Sequence, residues 1–155
     1  MPDRPAATLA RYRRAVRACA VMNLRQAARA VTAQFDAELK STGLRATQLN
    51  LLMAVETGAA TTITDLAEIL AMDRTTMTRN LKLLRDRGLV EAGRISLTAK
   101  GRRSAAVALP LWEQAQARFV ESLGSQRWES LIDELAAAKA AIRTRSSAAP
   151  RRNAS

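Results

Sequence analysis

Residues 73–90 read DRTTMTRNLKLLRDRGLV. Two arginines and three threonines are crowded into residues 74–79. Threonine is a mediocre helix former, yet the stretch is patterned as a helix. Met77, Leu81 and Leu84 recur at helical spacing and predict one apolar face. Asp73 stands where an N-cap belongs. Gly88 stands where a helix ends in the left-handed conformation. The question is what the threonines and arginines gain at the expense of helix propensity.

The flanking segments answer it. Upstream, TITD places Thr62 three residues before Asp65, the spacing of a capping box. A short helix follows, carrying Leu66, Ala67, Ile69 and Leu70, and Met72 bridges a tight turn into the next one. Downstream, LV at 89–90 and ISL at 95–97 read as short strands, with EAGR as the turn between them. The order helix, tight turn, helix, hairpin defines a winged helix-turn-helix. In that module the second helix of the turn enters the major groove with its N-terminal residues leading. Those positions favour hydroxyls, which reach phosphates and thymine methyls, and arginines, which grip guanine O6 and N7. Helix propensity is exchanged for reach and hydrogen bonding.

The rest of the chain is mainly α. Leu9, Tyr12, Val16, Cys19, Leu24, Ala28, Val31, Phe35 and Leu39 recur at helical spacing and predict one long first helix, with Gly43 as its stop. Its length exceeds what a small domain can cover by itself. Thr47 is placed to cap a second helix bearing Leu49, Leu52, Met53 and Val55, which breaks at Thr57-Gly58. Thr98 caps another long helix through Val107, Leu111, Trp112 and Phe119, where Pro110 predicts a kink or a restart. After Gly124-Ser125 a last helix presents Trp128, Leu131, Ile132, Leu135 and Ile142. The expected organisation is an N-terminal dimerisation helix over 1–44, a DNA-binding domain over 45–100 and C-terminal dimerisation helices over 101–143. A disordered basic tail is expected over 144–155.

Composition narrows the function. The 155 residues carry a formal net charge of +11 and a pI near 11.4. Such a charge asks for a polyanion, with nucleic acid first among candidates. A high-GC genome would also enrich arginine, but it would not cluster it. Residues 73–103 hold nine Lys or Arg against three acids. Histidine is absent, which removes the commonest general base and metal ligand. The single cysteine, Cys19, cannot form an internal disulfide or a thiolate cluster. No convergent acid, base or nucleophile appears, so an enzyme is not expected, nor is a cofactor or a metal. No apolar run reaches the ~18 residues that would span a bilayer. The opening MPDRPAATLA lacks the pattern of a signal peptide. A cytoplasmic protein without a membrane partner is expected.

The motif ITDLAEILAMDRTTMTRNLKLLRDRGLV, followed by ISLTAKGR, resembles the MarR family of bacterial transcription regulators. The segment NLRQAARAVTAQFDAELKSTGLRATQLNLL is similar to one branch of it. The likeness covers roughly residues 15 to 140. It implies a homodimer interlocked through the first and last helices, repression at a pseudo-palindromic operator, and release by a small, often phenolic, ligand. By position it implies double-stranded DNA contacts from Arg74, Thr75, Thr76, Thr78, Arg79 and Lys82. The wing departs from the family pattern, because only Glu91, Ala92, Gly93 and Arg94 separate its two strands. Arg94 is the one basic residue left at the tip.

Blander readings compete at each position. The arginine-rich ends fit a nonspecific or architectural DNA-binding protein. A peroxide-sensing branch of the family uses a first-helix cysteine, so a redox-responsive regulator using Cys19 is a further alternative. Cys19 lies on the apolar stripe, however, where cysteine behaves as a small hydrophobe. Arg85 and Arg87 read as DNA-backbone contacts or as solvated charges, with the latter preferred, and Arg102 and Arg103 as surface charge. Met22, Met53, Met72 and Met77 fall at core spacing.

Overall fold

The computed structural model describes residues 6–148. Seven α-helices follow one another: α1 (Ala6–Ala18), α2 (Ala20–Glu38), α3 (Ala46–Glu56), α4 (Ile63–Ile69), α5 (Arg74–Asp86), α6 (Ala99–Leu123) and α7 (Ser125–Ala148). The chain clusters into two compact units, residues 1–115 and 116–155, and the division falls inside the continuous α6.

Among the described residues, every buried apolar side chain lies in the first unit. Leu39, Leu49, Leu52, Leu66, Met77, Leu81 and Leu84 are essentially sealed from solvent. Each such side chain contributes ~1.5–3 kcal/mol by leaving water. They come from the end of α2, from α3, α4 and α5, so the core sits directly behind the helix-turn-helix. Phe35 and Trp112 extend it, their rings 6.1 Å apart.

Local signals set the helix ends. Thr62 Oγ1 accepts from the Asp65 N–H at 3.1 Å, and Asp65 Oδ2 accepts from the Thr62 N–H at 2.9 Å. The capping box read from TITD is therefore formed. At the turn into α5, Ala71 has a φ of 50°. The Met72 N–H reaches Ala67 O at 2.8 Å, and the Ala71 N–H reaches Glu68 O at 3.2 Å. This is a Schellman motif with alanine where glycine is usual. Gly88 closes α5 in the same way, with a φ of 68° and a Leu89 N–H to Leu84 O bond of 2.9 Å.

Four expectations are corrected. The long first helix is two helices: Cys19 has ψ 110° and leaves the helical conformation between α1 and α2. Asn23 Nδ2 donates to Arg17 O at 3.0 Å and Cys19 O at 2.8 Å, bridging the break from the first turn of α2. The second helix starts before Thr47. An arginine at its N-cap, Arg45, has no acceptor to offer, so Asp36 Oδ1 takes the Ala46 N–H at 2.7 Å instead. Pro110 does not restart the fifth predicted helix, since α6 runs unbroken through it. The wing forms no strand among the described residues, only one antiparallel bridge between Val90 and Leu97. With four residues at its tip, the hairpin is held by the Glu91 N–H to Ser96 O and Thr98 N–H to Leu89 O bonds, at 2.9 and 3.1 Å.

The second unit is the end of α6 with α7, joined at Gly124, whose φ is 90°. Phe119 and Trp128 meet edge to face with centroids 5.5 Å apart. The backbone of α7 continues helical to Ala148, past Thr144 where the tail was expected to begin. The remainder of that tail lies outside the described residues.

Candidate nucleic-acid interface

Helix α5 is held at both ends, and its outer face is thereby presented. At the N-terminus, Asp73 Oδ1 accepts from the Thr76 N–H at 2.8 Å, and Thr76 Oγ1 donates to Asp73 Oδ2 at 2.6 Å. The Thr76 hydroxyl, then its backbone N–H, hold the Asp73 carboxyl below the usual carboxylate range. At the C-terminus, Arg85 Nε donates to Glu91 O at 3.1 Å. Arg87 donates to Gln48 Oε1 at 3.1 Å and to Gly43 O at 3.0 Å. Lys100 Nζ donates to Arg87 O at 2.8 Å. Met77, Leu81 and Leu84 anchor the inner face in the core.

The outer face carries a shallow concavity of about 500 Å³ lined by Arg74, Thr75, Thr78, Arg79 and Lys82. Five of the seven residues proposed from sequence are thus brought together. Arg74 and Arg79 are exposed and make no side-chain hydrogen bond or ion pair within the described chain, so both guanidinium groups are open to an anion. The Thr75 hydroxyl is likewise uncommitted. Thr78 Oγ1 donates to Arg74 O at 2.8 Å, which leaves its lone pairs and methyl facing outward. Lys82 is less free than its neighbours. Its Nζ lies 2.6 Å from Asp86 Oδ2.

Two of the seven stand apart. Thr76 has its hydroxyl committed to the Asp73 cap and does not line the concavity. Arg94 lies on the reduced wing, exposed and outside the concavity.

The sequence reading of Arg85 and Arg87 as solvated charges is corrected. Both spend donors on backbone or amide oxygens and position the helix instead. Arg102 does the same at the wing, donating to Leu97 O at 2.9 Å. No sequence signal marks the tethers of Arg87, whose partners lie 39 and 44 residues away. The Lys82–Asp86 pair was overlooked although its four-residue spacing is legible. Of the methionines placed at core spacing, Met77 is buried and Met22 is exposed.

A second hollow, of about 480 Å³, lies in the same unit between α3 and α6. It is lined by Met53, Glu56, Thr57, Arg102, Ala105, Ala106 and Leu109. Among the described residues no group of three or more His, Cys, Asp or Glu side chains could hold a metal. No described helix is long and apolar enough to cross a membrane.

A core-anchored helix-turn-helix followed by a bridged wing defines the winged-helix class of transcriptional regulators. The sequence profile of the MarR family matches residues 42–100. The chain is similar to the transcriptional regulator MosR of M. tuberculosis, with 38% identity, a TM-score of 0.71, and coverage of 81% of this chain and 98% of that one. MosR has also been solved in complex with DNA, at the same identity and a TM-score of 0.68. CouR, a transcriptional repressor solved with p-coumaroyl-CoA, is 26% identical over 79% of this chain and 92% of its own, with a TM-score of 0.71. No protein of curated function matches. On these grounds the chain belongs to the MarR family.

Proposed function

We propose that this protein is a sequence-specific, double-stranded DNA-binding regulator acting as a homodimer on a pseudo-palindromic operator, and that it represses transcription. The observation that carries the reading is the outer face of α5, where uncommitted arginines and a free hydroxyl share one concavity on a rigidly held helix. Arg74, Thr75, Thr78 and Arg79 are its principal DNA contacts, with Lys82, Thr76 and Arg94 in supporting roles. Similarity to a DNA-complexed regulator supports it. No enzymatic role is assigned, and the protein acts in the cytoplasm, where its DNA lies.

Arg79→Ala tests it. A duplex selected from a random library by the wild-type protein serves as the operator. Base readout by Arg79 predicts a loss of ~1–3 kcal/mol and relaxed preference at one position. Phosphate contact predicts uniform weakening, with the salt slope lower by about one. Unchanged affinity would remove Arg79 from the DNA contacts.

The hollow between α3 and α6 supports a second element, release by a small-molecule effector. Its volume falls within the range of small-molecule sites, and Arg102 ties one wall to the wing at Leu97. A repressor relative, CouR, has been solved with a bound acyl-CoA. Replacing Ala106 by Phe should fill the hollow and abolish ligand-induced release while sparing DNA affinity.

A further inference from the structure

The face of α5 that carries Thr75, Arg79 and Lys82 ends in an acid. Asp86 follows Lys82 by one helical turn and Arg79 by two, so all three lie along one stripe. Asp86 is the only acid in α5. It occupies the last position of the helix, where the macrodipole disfavours negative charge. Among the described residues its one side-chain partner is Lys82, at 2.6 Å, and the two side chains are 58% and 74% exposed. An exposed pair at this spacing contributes little to stability. Neither the helix terminus nor the pair therefore gives Asp86 a structural reason to be there.

We propose that Asp86 is a specificity-determining residue, which holds Lys82 in a neutral pair and so withholds one cation from nonspecific DNA. This rests on the reading of α5 as the DNA-contacting helix. Nonspecific binding is driven by phosphate neutralisation. A Lys82 already neutralised adds nothing to it unless the pair breaks, and Asp86 then faces the phosphates with an unpaired negative charge. On an operator, Arg74, Thr75 and Arg79 hold the helix in register, and that fixed position lets a phosphate capture Lys82 from Asp86. The acid thus lowers affinity for every duplex, but lowers it most where base contacts are missing.

The test compares wild type, Asp86→Asn, Lys82→Gln and the double variant of the full chain. Each is titrated against the selected duplex and a scrambled duplex of equal length and composition, over a range of salt. Asp86→Asn should bind the scrambled duplex ~3–10-fold tighter, with a log–log salt slope steeper by about 0.9, the value for one added phosphate contact. The selected duplex should gain less, so the specificity ratio falls. In the Lys82→Gln background the same change should leave the salt slope unsteepened, because no cation is freed for a phosphate; only the smaller gain from removing an unpaired acid remains. Scrambled-duplex affinity within twofold of wild type in Asp86→Asn would overturn the proposal. So would a gain of the same size and salt slope without Lys82, which would indicate repulsion by the acid alone. Arg79→Ala separates the two levels: if it weakens operator binding while Asp86→Asn changes nothing, only this inference fails. If neither has an effect, the DNA-binding reading of α5 fails with it.

Discussion

At the scale of single residues, the most demanding position is Gly101, in the TAKGR stretch that opens α6. A Cβ built there would stand 1.9 Å from Leu89 O and 2.9 Å from Leu89 C. Both are backbone atoms, so no rotamer change relieves the clash. Thr98 explains why the chains come so close. Its hydroxyl donates to Gly88 O at 2.7 Å and accepts from the Gly101 N–H at 2.9 Å, sewing the start of α6 onto the end of α5. Gly101→Ala would gain ~0.5–1 kcal/mol in helix propensity. It would lose ~1–3 kcal/mol or more to overpacking, and the latter wins. A net destabilisation of about 2 kcal/mol is expected by denaturant titration; a variant as stable as wild type would show that the contact relaxes freely. Sequence patterning marked Thr98 as a cap and Gly88 as a stop, because caps and stops are local. It could not mark Gly101, because a glycine required by close approach looks like any other glycine until its neighbour is known. The same holds for Asp36, which caps α3 from across a turn, and for Arg87, whose partners Gln48 and Gly43 are remote in sequence.

At the scale of elements, α5 was legible almost to the residue, since cap, apolar spacing and terminal glycine all agree. The first helix was not. Its apolar spacing runs continuously from Leu9 to Leu39, and no glycine or proline interrupts it, yet the chain leaves helix at Cys19. The signal available was Asn23, a residue that competes for backbone carbonyls and takes two of them here. The break also changes the reading of Cys19. It is a partly buried N-cap residue, not a member of a continuous stripe. Cysteine makes no side-chain cap bond to α2, and serine is a preferred capping residue. Cys19→Ser should therefore stabilise the chain by ~0.5–1 kcal/mol and leave DNA binding unaltered. Under mild peroxide, parent and variant should retain DNA equally. Release of the parent alone would establish Cys19 as a redox switch.

At the scale of the whole molecule, what stands out is apolar surface left uncovered by one chain. On α1 and α2, Tyr12, Val16, Val21 and Leu24 are each more than half exposed. On α7, Leu131, Ile132, Leu135 and Ile142 are exposed as well, Ile142 by 70%. The buried residues all fall between Phe35 and Ala115, so neither terminal set has a core of its own. The sequence already showed these stripes, and that the first is longer than a small domain covers; which of their side chains stay exposed among the described residues depends on packing. Patches of this kind mark interfaces, and a two-fold dimer uses one surface twice. A homodimer would also set two α5 helices to read half-sites about one DNA turn, ~34 Å, apart. Sedimentation at low micromolar concentration should therefore give twice the chain mass of 16.9 kDa. Truncation after Gly124, which deletes the α7 stripe, should give an aggregating or unfolded chain. Charge placed in the stripe by Leu135→Glu is a milder check: it should weaken dimerisation and operator binding together, while far-ultraviolet dichroism stays helical. A well-behaved monomer that still bound a palindrome tightly would defeat the assignment of these helices to a dimer interface.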